Sequence, residues 1–336
     1  MKKVIPLFLL LIGAAARLTS TPEDFPRLTG PYLGQRPPGV VPELFAPDII
    51  STGLNEGIAT FMPAADEIVF MVIYRKPHSQ RVFTSLVTSR VNDGVWSAPQ
   101  LMEFSDARYD DACPFISYDG KELFFQSNRP TNTDGLGNEW NIWRCQRAGE
   151  RWSNPAPLPS PVNGRGDVSG PSMSKSGVLF FTRVGPGSAS AVYRSSRVRG
   201  KYSEPERLPE CVNKDRPFDG VIAPDGRSYI VCAYDKEDSL GGTDLYVTFM
   251  DENGGWSPLI NLGKGVNTKL NEGSATISPD GKYLFFSGFL VSHDFYSDRM
   301  TYADILNNSL KPQYGNSDIY WVSAEIVREL NPKPVR

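Results

Sequence analysis

One unit recurs along this chain, and its recurrence limits the fold more than any other feature. Aligned on a tight hairpin turn, the copies read MPAADEIVF (62–70), SYDGKELFF (117–125), SKSGVLFF (174–181), APDGRSYIV (223–231) and SPDGKYLFF (278–286). The turn position is Ala65, Gly120, Gly177, Gly226 and Gly281, spaced 55, 57, 49 and 55 residues apart. A turn residue between an alternating segment and an aromatic run describes two strands joined back to back. Self-similarity at such a period is the mark of a repeat architecture.

Each copy carries two more strands. The third is read in RVFTSLV (81–87), NIWRCQR (141–147), AVYRSSR (191–197), DLYVTFM (244–250) and DIYWVSA (318–324). The fourth follows in GVWSAPQLM (94–102), ERWSNPAPL (150–158), KYSEPERL (201–208) and GWSPLINL (255–262), and the fifth copy lacks it. GVVPELFAP (39–47) resembles that missing strand and precedes the first copy. The expected fold is therefore all-β: a five-bladed β-propeller of four-stranded antiparallel blades, closed by an N-terminal strand that pairs with the last blade. The alternative for 39–47 is a linker, and the alternative count is six blades.

The chain has 336 residues, of ordinary globular composition. Residues 1–16, a basic MKK followed by VIPLFLLLIGAAA, fit a secretory signal cleaved near Ala16. An N-terminal membrane anchor is the other reading, but the apolar run falls short of the roughly 18 residues of a spanning helix. No later stretch is apolar enough to span. Residues 17–38 read as an extended lead-in, 39–323 as the propeller and 324–336 as a tail in which AEIVREL (324–330) is a short helix. The protein is expected to be periplasmic or secreted.

Formal charge is −3, and it becomes about −5 once Lys2 and Lys3 leave with the signal, which offers nucleic acid no basic field. Cys113, Cys145, Cys211 and Cys232 have no metal-ligand spacing, and His78 and His293 are the only histidines. Cys113 and Cys145 fall on strands separated by a third, roughly 9.5 Å apart, beyond disulfide reach. Free, buried cysteines are expected.

The matches SPDGKYLFF with DIYW, DGKELFFQSNRP with NIW, and APDGR with GGTDLY resemble the WD-like β-propeller repeat of the TolB type. The third copy departs with KSG, and the first lacks the turn glycine. The resemblance covers roughly residues 40–323 and implies the fold. TolB carries an additional N-terminal domain and six blades, which this chain does not match, so its role in the Tol–Pal system does not transfer.

The first strand of each blade lines the central channel, so its leading residues should gather at one mouth. Nine places before the turn stand Glu56, Asp111, Val168, Pro217 and Glu272; ten places before stand Asn55, Asp110, Asp167, Arg216 and Asn271. Carboxylates brought together repel unless a cation, an arginine or protonation offsets them. Calcium at Glu56, Asp111 and Glu272 is the one cofactor this suggests. The competing reading has Asn55, Asp110 and Asn271 bonding to backbone N–H groups of the preceding turn. Arg129 and Arg183, which end second strands, either neutralise the carboxylates, clamp an anionic ligand or bridge adjacent blades. Asp244 and Asp318 recur before L-Y and I-Y and read as local Asx bonds. Trp96, Trp152, Tyr202 and Trp256 read as packing between blades.

The connections between second and third strands share the mouth: KPHSQ (76–80), NRPTNTDGLGNEW (128–140) and the long segment 288–317. The last is studded with His293, Phe295, Tyr296, Arg299, Tyr302 and Tyr314, groups suited to recognition; the alternative is a lid that merely covers the channel. There is no G-x-S-x-G elbow and no metallopeptidase motif. The favoured reading is a non-catalytic binding protein whose partner is an envelope protein, peptide or glycan. The alternative is a five-bladed glycoside hydrolase using Glu56, Asp111 and Glu272, which needs two carboxyls about 5–9.5 Å apart. A third reading is a purely structural envelope component.

Overall fold

The computed structural model describes residues 25–76, 79–105, 108–131, 139–164, 166–185, 189–234, 236–289, 301, 311–313 and 315–332. Five antiparallel sheets stand side by side. Blade one holds β2 (Asn55–Phe61), β3 (Glu67–Arg75) and β4 (Val82–Asn92), with β5 (Val95–Trp96) and β6 (Gln100–Leu101) outside. Blade two holds β7 (Asp111–Ile116), β8 (Glu122–Ser127), β9 (Asn141–Ala148), β10 (Arg151–Trp152) and β11 (Ala156–Pro157). Blade three holds β12 (Val168–Met173), β13 (Val178–Val184), β14 (Ser190–Val198), β15 (Lys201–Tyr202) and β16 (Glu206–Arg207). Blade four holds β17 (Phe218–Ile222), β18 (Ser228–Tyr234), β19 (Thr243–Phe249) and β20 (Ile260–Asn261). Blade five holds β21 (Glu272–Ile277), β22 (Tyr283–Gly288) and β23 (Asp318–Ser323), and its outer strand is β1 (Glu43–Leu44).

Five blades are present, and the ring closes as the repeat count requires. Glu43 pairs with Trp321 and Leu44 with Tyr320. The Phe45 N–H donates to the Ile319 carbonyl at 2.8 Å, and the Ser323 N–H to that of Gly39 at 2.8 Å. Lead-in residues reinforce the join: Tyr32 packs edge-on to Phe61 at 5.1 Å and to Tyr283 at 5.4 Å, and the Trp96 indole donates to the Gly30 carbonyl at 2.7 Å. The tail carries α2 (Glu325–Glu329); a single turn, α1 (Glu210–Asn213), lies between blades three and four.

The fourth strand is not one strand in blades one to three but two fragments, both paired to the third strand. The proline of W-S-x-P has no N–H for the ladder, so pairing breaks there. The serine before it bridges the gap. Ser97, Ser153, Ser203 and Ser257 each donate their N–H to the third strand and accept one from it through Oγ.

A second fivefold device clamps the same strands. The side chains of Asn163, Asn213 and Asn267 accept from the N–H of Ile142, Val192 and Leu245, and donate back to the carbonyls of those residues. Ser51 does both for Ile319, and Ser105 accepts from Leu86. Buried backbone groups facing a neighbouring linker are thereby satisfied. All four cysteines are free; three are buried and Cys211 is half-buried.

Candidate functional site

Each inner strand breaks register at the same level. The shifts fall at Gly57/Ala59, Ala112/Phe115, Ser169/Ser172, Phe218/Val221 and Gly273/Thr276. Seven places before the turn stand Ile58, Cys113, Gly170, Asp219 and Ser274. The last four have φ of +49°, +56°, +45° and +49°, the left-handed conformation of a β-bulge. These bulges crowd the pore. A Cβ on Gly170 would stand 2.9 Å from the Asp219 Cα, so only glycine fits there. The throat lined by Ile58, Gly170, Asp219 and Thr276 holds about 10 Å³, hardly one water.

Strand starts gather at the mouth, but their acidic side chains turn into three separate seams between blades. Glu56, 1% exposed, lies in the seam between blades five and one. Its N–H donates to the Ser317 carbonyl at 2.8 Å, and its carboxylate accepts from the Thr52 hydroxyl at 2.5 Å and the Thr52 N–H at 3.2 Å. Burial pushes it up from 4.5 to about 7, the Thr52 bonds oppose this, and the charge of Asp318 adds to it. Glu272 repeats the arrangement between blades four and five: Thr268 donates its hydroxyl at 2.5 Å and its N–H at 3.0 Å. Burial raises Glu272 too, and Asp244 of blade four adds to the rise.

Asp111 lies in the seam between blades one and two. Arg129 donates to both its oxygens, at 2.6 and 2.7 Å, and also to the Phe104 carbonyl at 3.4 Å. Burial raises the Asp111 carboxyl, and Arg129 partly offsets it. The guanidinium is boxed by Phe104, Tyr109, Phe125 and Trp143, 5.4–5.7 Å from each ring centre. It is committed within the fold. Arg183 donates to the carbonyls of Pro161 and Val162, while its buried Nε has no partner.

The residues ten places before the turn latch neighbouring blades. Asn55 accepts from the Ser317 N–H at 3.1 Å, Asp110 from the Thr84 N–H at 3.1 Å, and Asp167 from the Trp140 N–H at 2.8 Å. Asp110 also takes the Asn128 amide at 3.0 Å and the Arg81 guanidinium. Arg216 contributes its carbonyl to Ser190, and Asn271 forms a bridge with Thr243. Asp244 accepts from the Leu240 and Gly241 N–H groups, and Asp318 from that of Gln313 at 2.6 Å. Asp318 Oδ1 is buried without a partner. His78, His293, Phe295, Tyr296, Arg299, Tyr302 and Tyr314 lie outside the described residues.

Among the described residues no group of three or more His, Cys, Asp or Glu side chains is placed to hold a metal ion, and no helix is long and apolar enough to cross a membrane.

Reading from the sequence missed three features. Thr52 and Thr268 hold their glutamates through a T-x-L-N-E run written twice, at 52–56 and 268–272. The V-N pairs at 162–163, 212–213 and 266–267 signal the clamps. Asp219, half-buried at the throat, accepts from the Ser169 hydroxyl at 3.3 Å, and burial raises it; the signal was its place at the common bulge.

No family model matches the chain, and no curated protein matches it. Among solved structures it is similar to a TolB-type protein from Agrobacterium tumefaciens, at 10% identity over 80% of this chain and 90% of that one, TM-score 0.46. It is also similar to a thermostable family-43 glycoside hydrolase, at 12% identity over 72% and 85%, TM-score 0.46. A third is the catalytic domain of the Coprinopsis cinerea GH62 α-L-arabinofuranosidase, at 13% identity over 88% and 96%, TM-score 0.46. At these identities the likeness is one of fold.

Proposed function

We propose that the chain is an exported, non-catalytic β-propeller that binds an envelope protein, peptide or glycan through the loop-bearing face of its ring. The observation that carries this reading is the dispersal of Glu56, Asp111 and Glu272 into three seams, each held by its own partner. Acid–base hydrolysis needs two carboxyls facing one substrate, and the narrow throat supports recognition at the rim instead. The same dispersal lends no support to a calcium ion shared by the three.

Glycoside hydrolysis is the second reading, favoured by one observation: Glu56 is pushed up to about 7, the range a general acid requires. The test is to purify the protein, screen thermal stability against glycans, peptides, envelope proteins and calcium, and assay a glycan panel for turnover. Ligands that raise the melting temperature without being cleaved support the binding reading. Turnover abolished by Glu56→Ala, Asp111→Ala or Glu272→Ala sinks it.

A further inference from the structure

Where the chain passes from blade five into blade one, a cleft of about 490 Å³ lies between that linker and blade one, lined by Ile49, Thr52, Leu54, Glu56, Val72, Tyr74 and Leu101 among others. That volume suits a small organic ligand. Leu54 and Leu101 leave 51% and 54% of their surface in solvent, and both line this one cleft. Apolar surface of this kind, kept exposed around a polar point, marks a binding site.

The polar point is acidic on two counts. Glu56 meets the cleft, and Asp318, 0% exposed, stands close enough for its charge to act on Glu56. No cation among the described residues pairs with either, and Asp318 Oδ1 has no hydrogen-bond partner. The equivalent Asp244 in the neighbouring seam is fully engaged, by Leu240, Gly241 and Asn261. Arg75, the one cation among the described residues that line the cleft, is three residues beyond the Glu56 partner Val72 on β3, about 10 Å along the strand.

We propose that this cleft binds a small amphipathic amine, its alkyl or aryl body lying against Leu54, Val72 and Leu101 and its ammonium group seated on Glu56 with Asp318 behind it. The ammonium supplies a positive charge that no described residue gives the acid pair, and the apolar walls hold the body of the ligand. Glu56, Asp318, Tyr74 and Arg75 are the titratable or charged groups that line or adjoin the cleft. Because burial raises Glu56, binding strengthens as the carboxyl ionises, while the amine stays protonated throughout. The cleft lies at the start of β2 and the end of β3, on the loop-bearing side of the ring, so it deepens the binding reading proposed above and rests on it.

The test is calorimetry on the whole chain with hexylamine, and with hexan-1-ol and hexanoate as isosteres. Hexylamine is expected to bind about tenfold more tightly at pH 8 than at pH 6, following ionisation of one group near pH 7, with hexan-1-ol and hexanoate much weaker. Glu56→Gln reduces the pH dependence to the smaller part that Asp318 supplies and removes at least tenfold of the affinity at pH 8. Leu54→Arg, at an exposed position, abolishes hexylamine binding with the melting temperature unchanged; a peptide or glycan that the protein binds keeps the wider binding reading even where hexylamine fails to bind. Equal affinity for hexylamine and hexan-1-ol, or hexylamine binding that Leu54→Arg does not weaken, overturns the proposal.

Discussion

Arg129 grips both oxygens of Asp111, at 2.6 and 2.7 Å, with the carboxylate fully buried and the guanidinium 11% exposed. A pair so placed is worth little over an apolar substitute, yet breaking one side leaves a charge stranded in the seam. Arg129→Ala is expected to destabilise the protein by about 3–5 kcal/mol, whereas the double change Asp111→Leu with Arg129→Met recovers most of the loss. Urea unfolding of the three variants checks this. A small cost for Arg129→Ala alone would mean that the aromatic box, not the ion pair, organises the seam.

Glu56 makes stability depend on pH in the direction opposite to that of a salt-bridged acid. Its folded carboxyl, lifted by burial from 4.5 to about 7, holds a proton more tightly than the unfolded one. Its contribution is thus complete below pH 4.5 and is lost as pH rises through about 7. Asp318, lifted by burial from 3.8 to about 6, acts with the same sign over a lower window. The Glu56 part amounts to something on the order of 3 kcal/mol. Thermal unfolding between pH 4.5 and 8 should show wild type losing stability relative to Glu56→Gln as pH rises; parallel curves would place the Glu56 carboxyl at an ordinary value.

The repeat made the fold legible because each blade writes the same turn, and the alternation around it leaves each strand one face to bury. Closure by 39–47 was legible too, since blade five lacks a fourth strand and the segment carries its pattern. The direction of the mouth carboxylates was not. Spacing from the turn places Glu56, Asp111 and Glu272 at one level, but a bulge in every inner strand adds a residue between that level and the turn. Whether a side chain meets the pore or the seam then depends on partners such as Thr52, Arg129 and Thr268, which come from linkers or neighbouring strands. Asp219 was passed over for the same reason: its place is defined by the bulge, not by the turn.

Asn213 tests the clamp between a linker and the third strand of the blade it leaves. Its Oδ1 accepts from the Val192 N–H at 2.7 Å, and its amide donates to the carbonyls of Val192 and Leu208 at 3.1 and 2.8 Å. It is 3% exposed, so water does not replace it. Asn213→Ala is expected to cost about 3 kcal/mol, through backbone groups left unsatisfied, and Asn267→Ala a similar amount. Asn213→Asp should cost less at a pH low enough to protonate it, because one oxygen still accepts the Val192 N–H and the other can donate its proton to a carbonyl; ionised, it would face two carbonyls as a buried charge and cost more. Chemical denaturation ranks the variants; equal costs for Ala and Asp would show that the two amide donations, not the accepted bond, matter.

Phe45 is where the ring is joined. It is fully buried and meets Phe61, Phe285 and Trp321 with ring centres 5.2–5.6 Å apart, so blades one and five share it. Phe45→Ala is expected to lower stability by about 3–5 kcal/mol, from lost transfer energy plus the cavity. Removing residues 1–47 goes further, because it strips β1 from β23 and leaves an open sheet edge, which templates association with other chains. The truncated protein should therefore elute as oligomers in size-exclusion chromatography at concentrations where the parent is dispersed. A synthetic peptide spanning 39–47, supplied in excess, should reduce that association by occupying the edge. A truncated chain that stays monomeric and melts like the parent would mean that closure rests on packing between the blades, with β1 contributing nothing to it.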